Sequence, residues 1–200
     1  MARTREFATD EAVVAARSVF WEHGYEQASV PELERATGLG RSSIYQAFGS
    51  KRGLFDACVE SYLAEVIRPR LRPLEQDPVD AGALAEYLDG LRGALGDAGS
   101  APGRHGCLLM NAAGAPIGRE DAIAERVAAY REELRAAMRR GLAAARGLGG
   151  SGRLGDGEPD ARLLDRDAEA CASLVTSAFA LTRVDHAAAL RCVDAARAMI

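Results

Sequence analysis

The chain has 200 residues, 48% of them hydrophobic, and a formal net charge of −4. That is enough apolar material for one large or two small packed domains, and the acidic balance excludes a general nucleic-acid coat protein while allowing a local basic patch. Cys58, Cys107, Cys171 and Cys192 form no C-x-x-C pair and have no clustered histidine, which argues against a structural zinc site; with no apolar run of membrane-spanning length and no signal-peptide core, a cytoplasmic protein with reduced thiols and no membrane contact is expected.

Residues 1–7 read as a short polar arm carrying Arg3 and Arg5, of the kind that stays irregular or adds phosphate contacts. Thr9 or Asp10 caps a predicted helix over 10–23, with Ala12, Val13, Ala16, Val19 and Phe20 as its apolar stripe. Gly24 ends it. Lone His23 is read as structural. Ser29, Pro31 and Glu32 then form a capping-box signature, and Leu33 and Ala36 are expected to share one buried face. Thr37-Gly38-Leu39-Gly40 breaks this helix, with Gly38 in the left-handed position and Leu39 plugging the turn. A helix over 41–48 follows, with Ile44 and Phe48 inward and Arg41, Ser42, Ser43, Gln46 and Ala47 outward, Tyr45 on the flank. Gly49-Ser50 stops it, and Ser50 caps the next helix at Lys51.

Two short helices around a Gly turn, the second polar on its outer face, make a helix-turn-helix over 29–48. Arg41 suits guanine or phosphate, Gln46 suits adenine, the serines allow close approach and the Ala47 methyl fits a thymine methyl. Between 35 and 54 the charged residues are Arg35, Arg41, Lys51 and Arg52, with no acid among them. Phe20, Gly24-Tyr25, Ser29-Val30, Leu33, Ala36-Thr37-Gly38, Ile44-Tyr45, Phe48 and the run from Lys51 to Leu54 together resemble the N-terminal DNA-binding domain of TetR-like transcriptional repressors. The resemblance spans about residues 9–62 and departs at Gly40, where the family more often has a capping Ser or Thr. It implies DNA contacts from Ser29, Arg41, Ser42, Ser43, Tyr45, Gln46, Ala47 and Lys51.

A longer helix over 51–71 carries a continuous apolar stripe from Leu54 to Ile67, and Arg68-Pro69-Arg70 and Pro73 should end or kink it. The resemblance makes this helix the link between ligand pocket and DNA domain. Residues 75–80 read as a linker and 83–95 as the fifth helix. The stretch 96–106, GDAGSAPGRHG, has turn composition. Gly106-Cys107-Leu108-Leu109-Met110-Asn111-Ala112 resembles one branch of the TetR-like repressors with a sixth helix here, and Gly114-Ala115-Pro116 should shorten that helix. Cys107 near a helix start, after Arg104 and His105, fits a stabilised thiolate, or a small apolar residue at a helix start.

A seventh helix is predicted over 120–146, with Ile123, Val127, Tyr130, Leu134, Ala137, Met138 and Leu142 inward. The Gly-rich stretch 147–160 lacks the strand and GK[ST] of a phosphate loop and reads as a flexible loop. An eighth helix is expected from Asp165 or Asp167 to about 183, and a ninth, capped by Asp185, to the end. Their small residues permit close approach, so the last two helices are the expected homodimer surface.

The reading is therefore an all-α protein of about nine helices: a helix-turn-helix DNA-binding domain over 6–66 and an effector-binding and dimerisation domain over 75–200. The expected function is a ligand-responsive repressor, a dimer on a palindromic double-stranded DNA operator, released by a small-molecule effector. Tyr62, Val66, Tyr87, Leu91, Cys107, Met110, Tyr130, Leu134 and Phe179 are the expected pocket. No metal, no cofactor and no catalysis are expected: His23, His105 and His186 are scattered, and no catalytic motif appears. The alternatives are a repressor sensing oxidants or electrophiles through Cys107, and a helical adaptor that does not bind DNA, against which the intact Arg41, Tyr45, Gln46 and Lys51 face counts.

Overall fold

The computed structural model describes residues 2–148 and 158–200, with side-chain surroundings for 9–148 and 160–200; among them every regular element is helical. Residues 149–157 of the Gly-rich stretch and the side chains of Arg3 and Arg5 lie outside the described residues.

The N-terminal part comprises α1 (Ala2–Gln27), α2 (Val30–Thr37), α3 (Arg41–Phe48) and α4 (Lys51–Tyr62). The predicted arm is helical backbone, so α1 begins before Thr9. It also continues past Gly24, whose φ of 77° and ψ of 172° break the helix, because the Ala28 amide closes one more turn onto the Gly24 carbonyl at 3.2 Å. The core here is aromatic. The rings of Phe20 and Phe55 meet edge-on at 5.1 Å, and Tyr25 lies 5.1 Å from Phe55. Leu33, Ile44 and Leu54 are buried around them, each worth about 1.5–3 kcal/mol of burial. Ala36 is exposed and does not share the face of Leu33.

The predicted long helix stays helical but changes pitch. A π-helical turn, Leu63–Ile67, joins α4 to α5 (Arg68–Leu71), and a 3-10 turn, Arg72–Glu75, follows. Pro69 explains the pitch change. In an unbroken α-helix its ring would meet the carbonyl four residues back; here the Arg68 amide reaches back to the Leu63 carbonyl, and the widened turn makes room for the ring.

The C-terminal part comprises α6 (Ala83–Gly96), α7 (Ala101–His105), α8 (Leu108–Ala113), a 3-10 turn (Pro116–Arg119), α9 (Asp121–Ala145), α10 (Glu158–Leu181) and α11 (His186–Arg197). Two expectations change. The stretch 96–106 holds the one-turn helix α7, because the Ser100 hydroxyl accepts from the Gly103 amide at 2.9 Å and donates to the Ala94 carbonyl at 2.6 Å. The eighth predicted helix, α10, starts at Glu158 rather than near Asp165, consistent with a proline in the first turn, where its missing N–H costs nothing. As expected, α8 is short, ending before Gly114. Asn111 fixes its start by donating from Nδ2 to the His105 carbonyl at 2.8 Å.

The apolar core runs without interruption from Phe20 through Tyr62 to Tyr130 and Val175. Polar clasps also join the two parts at the end of α1. The Trp21 indole Nε1–H donates to the Gly106 carbonyl at 3.1 Å, and Arg183 Nη2 donates to the carbonyls of Trp21 and Glu22 at 2.8 and 2.5 Å. Glu26 Oε1 accepts from the Ile117 amide at 2.7 Å. Ion pairs between Arg52 and Glu120 and between Arg126 and Glu60 add to these.

Candidate nucleic-acid interface and adjoining cavity

The helix-turn-helix is assembled by local chemistry. Ser29 and Glu32 cap α2 reciprocally: the Glu32 carboxylate accepts from the Ser29 amide and hydroxyl at 2.8 and 2.7 Å, and Ser29 Oγ accepts from the Glu32 amide at 3.4 Å. The Ser29 backbone and side chain hold the Glu32 carboxyl below its ordinary range. Gly38 ends α2 at φ 69°, ψ 5°, and its amide bonds the Glu34 carbonyl. The N-cap of α3, Gly40, has no side chain, so its helix start is satisfied from a distance: Glu34 Oε1 accepts from the Arg41 amide at 2.5 Å. An acid from α2 thus holds the start of α3 through a contact seven residues apart.

This packing turns the predicted face of α3 outward. Arg41, Ser42, Ser43, Gln46 and Ala47 are exposed, Tyr45 is half-buried, and Ile44 is buried beneath them. The Arg41 guanidinium lies 5.2 Å from the Tyr45 ring centre, and the Lys51 ammonium 4.6 Å from that of Tyr25. Desolvation against that ring lowers the Lys51 pKa. Arg52 does not join the patch. It pairs with Asp56 at 3.0 Å and with Glu120, and so holds the C-terminal part.

Behind this domain, the π turn and α6 enclose a cavity lined by Tyr62, Val66, Ile67, Arg70, Leu71, Tyr87, Leu91, Ala94, Pro102 and Phe179. Of the nine expected pocket residues, Tyr62, Val66, Tyr87, Leu91 and Phe179 line it. Cys107, Tyr130 and Leu134 are buried in the core and Met110 is half-buried, and none of the four lines it. Arg70 was not among the expected residues, although its place one helical turn beyond Val66 was visible in the spacing.

Cys107 sits at the start of α8, fully buried. Burial pushes its thiol pKa up, outweighing hydrogen bonds from Tyr62, Tyr130 and the Met110 and Leu109 amides that pull it down. The expected thiolate stabilisation by a helix start is therefore present but loses to desolvation. His105 does not assist: its ring faces Arg183 Nη2 at 3.5 Å, and burial lowers its pKa, Arg183 adding to the effect. No group of His, Cys, Asp and Glu among the described residues could hold a metal ion, and no described helix is long and apolar enough to cross a membrane.

A capped α2, a left-handed glycine turn and an exposed polar face on a firmly packed α3 define a helix-turn-helix DNA-binding domain. Residues 12–58 match the N-terminal domain of the family described as bacterial regulatory proteins, tetR family. The HTH-type transcriptional repressor BdcR of Escherichia coli (strain K12) is 35% identical over 86 residues, 43% of this chain and 44% of that protein. The repressor AcnR of Corynebacterium glutamicum is 40% identical over 76 residues, 34% of this chain and 40% of that protein. The chain thus spans less than half the length of these curated relatives. Whole-chain likeness comes from solved structures. A cysteine mutant of the TetR family regulator CifR, complexed with 26-bp double-strand operator DNA, has a TM-score of 0.71 and 28% identity, covering 94% of this chain and 95% of that one. A TetR transcriptional regulator from Chloroflexus aurantiacus J-10-FL has a TM-score of 0.74 at 23% identity over 99% and 96% of the two chains, which shows the shared fold.

Proposed function

We propose that the protein is a cytoplasmic, ligand-controlled transcriptional repressor that binds a palindromic double-stranded DNA operator as a homodimer. The observation that carries this reading is the outward polar face of α3, mounted on a domain whose α4 runs into the wall of an apolar cavity through Tyr62. Arg41, Ser42, Ser43, Tyr45, Gln46 and Ala47 read the major groove, and Ser29 and Lys51 hold phosphate on either side. The DNA-binding domain spans 6–66 and the effector-binding and dimerisation domain 75–200, and Tyr62 and Val66 of the former join the cavity wall. The stretch from Gly106 to Ala112 supports membership of the Gly-Cys-Leu-Leu branch.

The second copy docks on α10 and α11. Along α10, Leu163, Ala170, Leu174, Ser177, Leu181 and the following Val184 recur at intervals of seven, four and three, and none is buried. That is a heptad-like seam left uncovered. Paired about a twofold with α11, it closes a four-helix bundle and sets the two α3 helices one DNA turn apart, about 34–36 Å. A ligand that fits the cavity better in one spacing shifts the population only by that difference in affinity. Gel shift with the chain's own upstream DNA and light scattering on the pure protein test this together: a dimer retarding a symmetric site is expected, and a monomer or an unshifted site would overturn it.

A further inference from the structure

We infer that the effector is an amphipathic carboxylate, its apolar body lodged between the π turn and α6 and its anionic head held by Arg70. This rests on the ligand-controlled reading above and names the chemistry of the same cavity. The inner cavity is small, about 20 Å³, close to the space of one water. It shares Arg70, Tyr87, Leu91 and Ala94 with an outer groove of about 300 Å³ that also touches Pro69, Glu86 and Gly90. The two together make a passage with an apolar inner end and Arg70 at the threshold.

Among the described residues, Arg70 is the only cationic side chain lining either space. Its Nη1 donates to the Val66 carbonyl at 2.5 Å, which turns the guanidinium back along its own helix toward the cavity. Among the described residues no carboxylate pairs with it, Glu86 across the groove included, whereas nearby Arg68 and Arg140 pair with Glu133 and Glu75. Burial raises the pKa of the Tyr62 and Tyr87 hydroxyls, and the charge of Arg70 opposes it only weakly. Tyr87 is therefore a neutral donor beside a cation. A neutral apolar ligand has no use for an unpaired guanidinium at the entrance. A cationic ligand would be repelled by it. A carboxylate accepts its forked N–H groups in a planar, paired geometry.

The molecule contains its own reporter. Trp21, the one tryptophan in the chain, packs edge-on against Tyr62 at 4.9 Å. Tyr62 is part of the cavity wall, so an entrant that shifts it changes the surroundings of Trp21, which lies on α1 of the DNA-binding domain.

The test titrates the full chain with benzoate, phenylacetate and octanoate, each beside its primary amide, while reading Trp21 fluorescence and operator binding. At least one acid should bind with a fluorescence change, about tenfold or more tighter than its amide. Arg70→Gln should remove that preference while leaving amide affinity, thermal stability and ligand-free operator binding unchanged, and Arg70→Lys should restore part of it. No binding by any acid, or equal binding of acids and amides, would overturn the carboxylate assignment while leaving the repressor reading standing. Acids that bind through Arg70 without altering operator affinity would keep the anion site and sink the ligand-controlled reading instead.

Discussion

Lys51 and Gln46 stand on the same surface but make different demands on DNA. Lys51 is a point charge stacked beside Tyr25 at the start of α4. Lys51→Ala should weaken binding to all sequences alike and reduce the slope of log affinity against log salt by about one. Gln46 is exposed on the outer face of α3. Gln46→Ala should cost about 1–3 kcal/mol on the preferred base and little on others, so binding measured across single-base variants of the site should flatten at one position. If neither substitution changes DNA binding, the assigned face is wrong. Both residues were legible from helical spacing. Glu34 was not: it caps α3 across a turn, and no local pattern announces a contact that depends on where two helices cross. Arg52 shows the opposite failure, since it looked like part of the basic patch until the fold brought Glu120 to it.

The elements were announced by their punctuation wherever that punctuation was local. Capping serines, the left-handed Gly38 and the Asp185 cap of α11 all act within three or four residues. Gly38→Ala should therefore cost only the conformational penalty, about 1–2 kcal/mol, because no atom lies within 4 Å of an added Cβ. Gly53→Ala should cost more, since its Cβ would fall 1.9 Å from the Phe48 carbonyl oxygen. Urea unfolding of the two variants gives the ranking, and equal losses would contradict the packing of α3 on α4. The π turn is a subtler case. Pro69 signalled a disturbance, but whether the chain would kink, stop or widen depended on the neighbours holding it. Arg17 on α1 binds Ser61 and Glu65 at 2.7 and 2.9 Å, and these contacts keep the widened segment in line.

At the scale of the whole molecule, the two parts are held by clasps that neither contains alone. Arg183 reaches from the end of α10 to two carbonyls at the end of α1. Arg183→Ala should cost about 1–3 kcal/mol of stability, shift Trp21 fluorescence and alter ligand-free operator affinity; an unchanged operator affinity would show that this clasp does not position the DNA-binding domain. Burial also sets the pH response. Cys171 is pushed from an ordinary 9.0 to about 11, and the Cys107 thiol and the Tyr62 and Tyr130 hydroxyls are raised as well, all chiefly by desolvation. Each group keeps its proton longer in the folded state, so its contribution is complete below its unfolded value and is lost as pH climbs toward the folded one. Stability should be insensitive to these groups below about pH 9 and fall above it, Cys171 alone accounting for on the order of 2 kcal/mol by pH 11. Thermal melts from pH 8 to about 11 check the sign; a midpoint that does not fall would contradict the burial of these groups.

The amino-acid sequence by itself determined the helices, their caps and the outward face of α3, because these follow from periodicity and from contacts a few residues apart. It also carried the resemblance that named the DNA-binding domain. Only the tertiary structure decided which apolar residues enclose the cavity, why Cys107 is a protonated buried thiol and that Arg70 lines the cavity with no carboxylate partner among the described residues. Those properties depend on desolvation and on partners far along the chain, and a helical wheel contains neither.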